Sequence, residues 1–354
     1  MKRILLAGAA VVLGAGSAAW ASEPVAVSVS GYGHFGIGFK SVDETFAGEP
    51  NRDGFGIMRD GEIHFDVRGT SDNGLTFSGR VELEAFSDGG DQIDRNWFAI
   101  SGGFGEIKVG SDKAAAYNMA TGLFFSSGGK IGWYDDDGES NPTGAYVSND
   151  RFGDPLGIFY NTPEFAGFQA QVSYHPRGAA DGPFDTNGLL TNDWAAEVTD
   201  VFSIGLNYGR SVGDVDFRLS AGYDYIGSPG APGLDDDGFS LGAQVGFSGF
   251  IVGGFFKEGI EWIGGGEQEY VFNVGYETGP WLFVAGVTYA DNLLGVGGSD
   301  LWKFGGAVDY QLAPGVVASL GLEYTTAEGV AVIGPARTGD LDGFAGMTWL
   351  TLNF

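Results

Sequence analysis

Hydrophobic and polar positions alternate along most of this chain. Val25, Val27 and Val29 interleave with Ala26, Ser28 and Ser30. Ile63, Phe65 and Val67 interleave with Glu62, His64, Asp66 and Arg68. Leu75, Phe77, Val81 and Leu83 share one parity; Thr76, Ser78, Arg80, Glu82 and Glu84 share the other. A period of two predicts β-strands, because successive side chains leave the backbone on opposite sides. Each predicted strand has an apolar face and a charged face. In a soluble sandwich the apolar face lines a core. In a membrane barrel it meets lipid, and the charged face lines water.

The connections decide between the two. Short turns are expected at 71–73, 103–104, 163–166, 213–214, 248–249, 279–280 and 312–315. Mostly longer polar connections fall at about 41–55, 88–91, 113–154, 177–199, 227–237, 261–266, 292–299 and 329–342. The two kinds alternate and divide the chain into roughly sixteen strands, an even count that returns both ends to one side. The predicted fold is all-β: a 16-stranded antiparallel up-and-down transmembrane β-barrel, wide enough for an aqueous channel.

The N-terminus agrees with export. Met1-Lys2-Arg3, an apolar stretch from Ile4 to about Gly16, and Ala19-Trp20-Ala21 have the layout of a cleaved signal peptide. The apolar stretch is shorter than the ~20 residues a spanning helix needs. The expected division is residues 1–21 as signal and 22–354 as one barrel. A mean hydropathy of +0.01 fits strands that show lipid only every second residue.

Composition narrows the chemistry. With no cysteine, thiolate metal sites and thiol catalysis are excluded. A formal net charge of −28 repels nucleic acid, so no such partner is expected. The 64 glycines carry no collagen period and sit inside alternating segments, which suggests bent, closely spaced strands. Aromatics near strand ends (Trp97, Phe98, Trp262, Trp281, Trp302 and Trp349) suit interfacial girdles. The final strand puts Phe344, Gly346, Thr348, Leu350, Leu352 and Phe354 on one face and ends on phenylalanine.

Two stretches resemble the general, trimeric porins of Gram-negative bacteria, of the alphaproteobacterial type. The first runs from Arg95-Asn96-Trp97-Phe98 through Gly103-Phe104-Gly105 to Gly110. The second is Tyr160-Asn161-Thr162-Pro163-Glu164-Phe165-Ala166-Gly167-Phe168. The terminal Phe354 is similar to the family's assembly signal. The resemblance implies a trimer embedded in outer-membrane lipid, and a third loop that folds into the lumen and faces basic residues on the opposite wall. Arg95 matches a wall arginine by motif. His34 and His64 stand where lysine or arginine is frequent in the family, and Ser111 replaces another frequent base.

Strand parity assigns the pore lining. His34, Lys40, His64, Arg68, Arg80 and Glu82 fall on polar faces, and Arg95 joins them through its motif. Asp135, Asp136 and Asp137, with Glu139, lie on the third loop. Charged walls opposed across a low-dielectric frame set ion selectivity. The acid excess and the two histidines point to passive diffusion of small hydrophilic solutes with a cation preference. Charging His34 and His64 below pH ~6.5 is expected to weaken that preference. The alternative is a solute-selective channel with a lumen binding site, recognised by saturable block.

Enzyme chemistry is not expected. There is no Gly-x-Ser-x-Gly or His-Glu-x-x-His, and a lipid hydrolase needs a lipid-facing Ser and His, whereas parity turns His34 and His64 inward. Gly31-x-Gly33-x-x-Gly36 lies within a strand and lacks the helix that dinucleotide binding requires. An adhesin, with its function in the loops, would bind cells without conducting. No cofactor is required. Calcium is a candidate ion through the carboxylates of Asp135, Asp137, Asp235 and Asp237. The stretch from Glu49 to Asp60 matches an EF-hand loop only in part. His175-Pro176 is read as the end of a strand.

Overall fold

The computed structural model describes residues 22–44, 53–86, 92–123, 152–178, 198–228, 237–259, 268–292, 298–331 and 338–354. The expected signal peptide, Asp135–Asp137, Glu139, Asp235 and Trp262 lie outside the described residues.

The wall begins with β1 (Glu23–Glu44), β2 (Gly54–Thr70), β3 (Thr76–Glu84), β4 (Ile93–Gly102) and β5 (Gly105–Ser111). A single helical turn follows, α1 (Ala115–Asn118). Then come β6 (Leu156–Asn161), β7 (Phe168–Arg177), β8 (Thr199–Val212), β9 (Val215–Ser228), β10 (Asp237–Phe247) and β11 (Phe250–Glu258). The wall ends with β12 (Gln268–Thr278), β13 (Trp281–Asp291), β14 (Asp300–Ala313), β15 (Val316–Ala331) and β16 (Thr338–Asn353).

Each strand pairs antiparallel with its sequence neighbours, and β16 pairs with β1 to close the barrel. Closure satisfies the backbone groups that a free sheet edge would leave bare in lipid. Gly31 and Phe354 seal the seam with a reciprocal backbone pair: Gly31 N–H donates to Phe354 O at 3.0 Å, and Phe354 N–H to Gly31 O at 3.1 Å.

Six of the seven expected short turns fall wholly between the strands they were read to join, such as Gly213-Asp214 between β8 and β9; the seventh, at 312–315, narrows to Pro314-Gly315 because β14 runs on to Ala313. The last long connection is shorter than the composition suggests, because β15 runs on to Ala331 and β16 starts at Thr338. β7 likewise continues through His175 and Pro176 to Arg177, so this histidine lies within a strand rather than at its end. Asp60 sits in strand β2, and Asp53 Oδ1 accepts the Val42 N–H at 2.8 Å, while Glu49 and Asn51 lie outside the described residues.

The alternation translates directly into sides. Outward positions carry Val25, Phe35, Ile57, Phe98, Leu219, Phe272 and Phe304, all exposed. Trp281 and Trp302 also point out, as girdles require, and stack near Phe283 and Phe304. Trp97 and Trp349 do not belong to a girdle. Trp349 is buried on the inner face, and Trp97 lies 5.4 Å beneath the Lys108 ammonium. Both have inward parity, which outweighs their closeness to a strand end.

The inner face is not polar throughout. Phe255, Val271, Val284, Leu301, Met347 and Trp349 form one apolar cluster with Val42 and Met58. Ala114, Phe152, Val198, Val201 and Ile226 form a second.

Candidate functional site

The third connection, between β5 and β6, is described at its two ends. Residues 115–122 run against inward-facing side chains of β7, β8, β9 and β12. Ala115 N–H donates to Ser173 Oγ at 3.1 Å, Ala116 N–H to Ser203 Oγ at 2.8 Å, and Thr121 N–H to Ser220 Oγ at 2.9 Å. In return, Asn207 Nδ2 donates to Met119 O and Asn273 Nδ2 to Gly122 O.

Glycines beneath the segment let it come this close. A Cβ on Gly205 would lie 2.3 Å from Ala115 O, on Gly242 1.9 Å from Thr121 O, and on Gly253 2.4 Å from Gly122 O. The glycine excess therefore has a second use besides bending strands: a smooth inner floor of Gly, Ser and Asn on which chain can lie. Sequence reasoning missed this floor. Its signal was available in the inward parity shared by Ser173, Ser203, Gly205, Ser220, Gly222 and Gly242.

A dense charge cluster lies beside the start of this segment. Arg95 is its hub. Arg95 Nε is 2.7 Å from Glu82 Oε2 and 3.1 Å from Asp94 Oδ2, with Asp112 and Asp154 at 3.8 and 3.9 Å. Arg80 pairs with Asp66 at 2.6 Å and Glu82 at 3.3 Å. Lys113 pairs with Asp154 at 2.8 Å, while Lys108 pairs with Asp112 and sits 4.5 Å from the Phe159 ring. Cations over aromatic faces gain from the ring quadrupole. Burial pushes the Asp154 carboxyl up to about 7, against the pull of Lys113 and Arg95. Ser111, where a base was expected, is fully buried and donates its hydroxyl to Asp154 O.

The other expected lining residues are placed as follows. His64 is half-buried, and its Nε2 lies 2.6 Å from Glu62 Oε2. His34 faces inward but is 5% exposed, packed beside Tyr32, with Nδ1 3.0 Å from Thr351 Oγ1. Lys40 is half-buried on the same face of β1, opposite Gly54 and Ala345. Arg68 is exposed near the short-turn end of β2. Arg80, Glu82 and Arg95 are brought together; His34, Lys40 and Arg68 stand apart from them. Asp237, a candidate calcium ligand, is exposed and accepts a hydrogen bond from Tyr223 Oη at 3.0 Å.

His175 had no assigned role. It is fully buried in the wall, where its Nδ1 lies 3.2 Å from Pro155 O and its Nε2 3.0 Å from Ser173 Oγ. Ser173 in turn receives the Ala115 N–H, so the histidine braces the floor beneath the helical turn.

A closed barrel with lipid-facing apolar residues outside and hydrogen-bonded charges inside defines a β-barrel channel of an outer membrane. The Gram-negative porin model matches residues 7–329, and the chain belongs to that family. Solved porins share the architecture. A triple-substituted porin from Rhodopseudomonas blastica aligns with a TM-score of 0.60 at 18% identity, covering 93% of this chain and 100% of its own. An anion-selective porin from Comamonas acidovorans aligns with the same TM-score, identity and coverage. No curated protein sequence matches the chain. The protein is thus a passive diffusion channel of the bacterial outer membrane, and not an enzyme.

Proposed function

We propose that this porin passes small hydrophilic solutes and ions with a preference for cations. The observation that carries the reading is the acid excess in the cluster around Arg95, where Glu62, Asp66, Glu82, Asp94, Asp112 and Asp154 meet Arg80, Arg95, Lys108 and Lys113, an excess that remains when Asp154 is protonated. The formal charge of −28 points the same way. An anion-selective protein of the same fold means that the sign of selectivity comes from wall residues rather than from the barrel. The third connection narrows the lumen beside this cluster, with its anchored residues 115–122 as the foundation. The functional unit is a homotrimer.

The test is a zero-current potential across a salt gradient in a planar bilayer, recorded with conductance steps. A cation-selective potential with triplet steps is expected. An anion-selective potential refutes the preference, and single steps refute the trimer.

A further inference from the structure

We propose that Glu62, His64 and Glu82 form a binding site for a divalent transition-metal ion of the zinc class on the inner wall. The strand frame sets the three together. Glu62 and His64 are two residues apart on one face of β2, and His64 stands directly opposite Glu82 on β3. One ligand atom from each lies within 4.8 Å of the other two. Ligands of a common zinc ion sit ~2.0–2.2 Å from it. Tetrahedral ligands at that distance stand about 3.4 Å apart, so seating an ion parts His64 Nε2 and Glu62 Oε2, now 2.6 Å apart, by about 1 Å and draws Glu82 in by up to about 1.5 Å.

The donor set selects the metal. One imidazole and two carboxylates suit zinc, manganese or iron(II), whereas calcium and magnesium call for all-oxygen cages. Three protein ligands leave a fourth position open to water from the lumen.

Two further observations point to a ligand. Glu82 is 2% exposed, and its buried Oε2 receives no hydrogen bond. Arg95 Nε lies 2.7 Å away, yet the single hydrogen of that nitrogen goes to Asp94 Oδ2 at 3.1 Å. The ion pair with Arg95 engages one side of this oxygen and leaves its second lone pair without a hydrogen bond. The carboxylates are also already oriented from behind: Tyr32 Oη donates to Glu62 Oε1 at 2.8 Å, and Arg80 NH1 to Glu82 Oε1 at 3.3 Å. Outer partners of this kind fix the ligands of metal centres. An occupied site adds two positive charges to the wall and so lowers cation preference.

The experiment uses the full-length barrel folded in detergent and stripped with chelator, titrated with zinc chloride by calorimetry. One saturable zinc per chain is expected, with magnesium giving no saturable heat. His64→Ala and, as a second variant, His64→Gln are expected to weaken binding at least ~10-fold, and Tyr32→Phe by ~10-fold through its support of Glu62. Heat-modifiable gel mobility reports that each variant is folded. Absence of saturable zinc binding below about 1 mM, or equal binding in both folded His64 variants, overturns the site. A parallel bilayer recording is expected to show zinc, but not magnesium, lowering the cation selectivity of the wild type. That recording without metal tests the channel reading separately.

Discussion

Gly242→Ala tests whether the inner floor holds the third connection. The added Cβ would stand 1.9 Å from Thr121 O and 2.5 Å from Ser220 Oγ. A carbon–oxygen contact relaxes to about 3.3 Å, so the segment must lift by more than ~1 Å. A lift of that size breaks the 2.9 Å bond from Thr121 N–H to Ser220 Oγ and the 2.7 Å bond from Asn273 Nδ2 to Gly122 O. Each lost bond costs ~0.5–1.5 kcal/mol, and more where a buried partner is left unsatisfied, for a total of about 2–4 kcal/mol. Gly246→Ala on the same strand face is the control. Its nearest neighbour would be Asp216 Cβ at 3.7 Å, and the exchange is expected to stabilise by ~0.5 kcal/mol. The assay is guanidinium unfolding of the barrel folded in detergent, with the midpoints compared at equal slope. Lifting the segment also moves it toward the pore axis, so the Gly242→Ala conductance step should shrink. Equal unfolding midpoints in the two variants would refute the role of the floor.

Three more outcomes follow from the charges. Lys303→Met leaves Glu323, 3.5 Å away and equally buried, without this counter-charge; it should lower unfolding stability by ~3 kcal/mol, with Lys303→Met/Glu323→Leu recovering most of the loss. Asp154→Asn reports the raised carboxyl: its folded value of about 7 lies above the ordinary 3.8, so ionisation costs the fold progressively as pH rises between them. The stability of Asp154→Asn relative to wild type should therefore climb from pH 4 to pH 8, and a constant difference in denaturation midpoints counts against the assignment. Arg95→Gln removes a lumen charge worth about 0.5 kcal/mol at ~8 Å in water, about twofold in favour of cations and about twofold against anions, so the cation-to-anion permeability ratio should rise roughly fivefold; a fall, read as a zero-current potential, contradicts the expected sign.

Strand number, turn positions and sidedness were legible because they are local. Alternation at Ile63–Arg68 assigns faces without reference to any other strand, and Gly213-Asp214 can only be a turn between two such runs. What sits on an inward face is not local. Trp97 and Trp349 resemble girdle residues by their closeness to a strand end, but their parity, opposite to exposed Phe98 and Leu352 in their own strands, turns them inward. Arg95 was identified from a motif, but its partners Asp112 and Asp154 lie on either side of a long connection, and no spacing rule joins them. His175 beside a proline resembles a strand end; β7 carries on, and the proline costs one ladder bond next to the departing connection.

The same distinction explains why the wall's chemistry concentrates where it does. A β-barrel has one inner surface and few ways to vary its width, so selectivity must come from chain laid on that surface and from the charges beside it. Laying chain there requires inward positions without side chains, which Gly205, Gly242 and Gly253 supply, and hydroxyls to receive its backbone N–H groups, which Ser173, Ser203 and Ser220 supply. Those positions are silent in lipid-facing terms and leave the outward pattern untouched. A strand can therefore change what it holds inside without changing how it meets the membrane. That independence lets a fold shared at 18% identity with an anion-selective porin carry an acid-rich wall here.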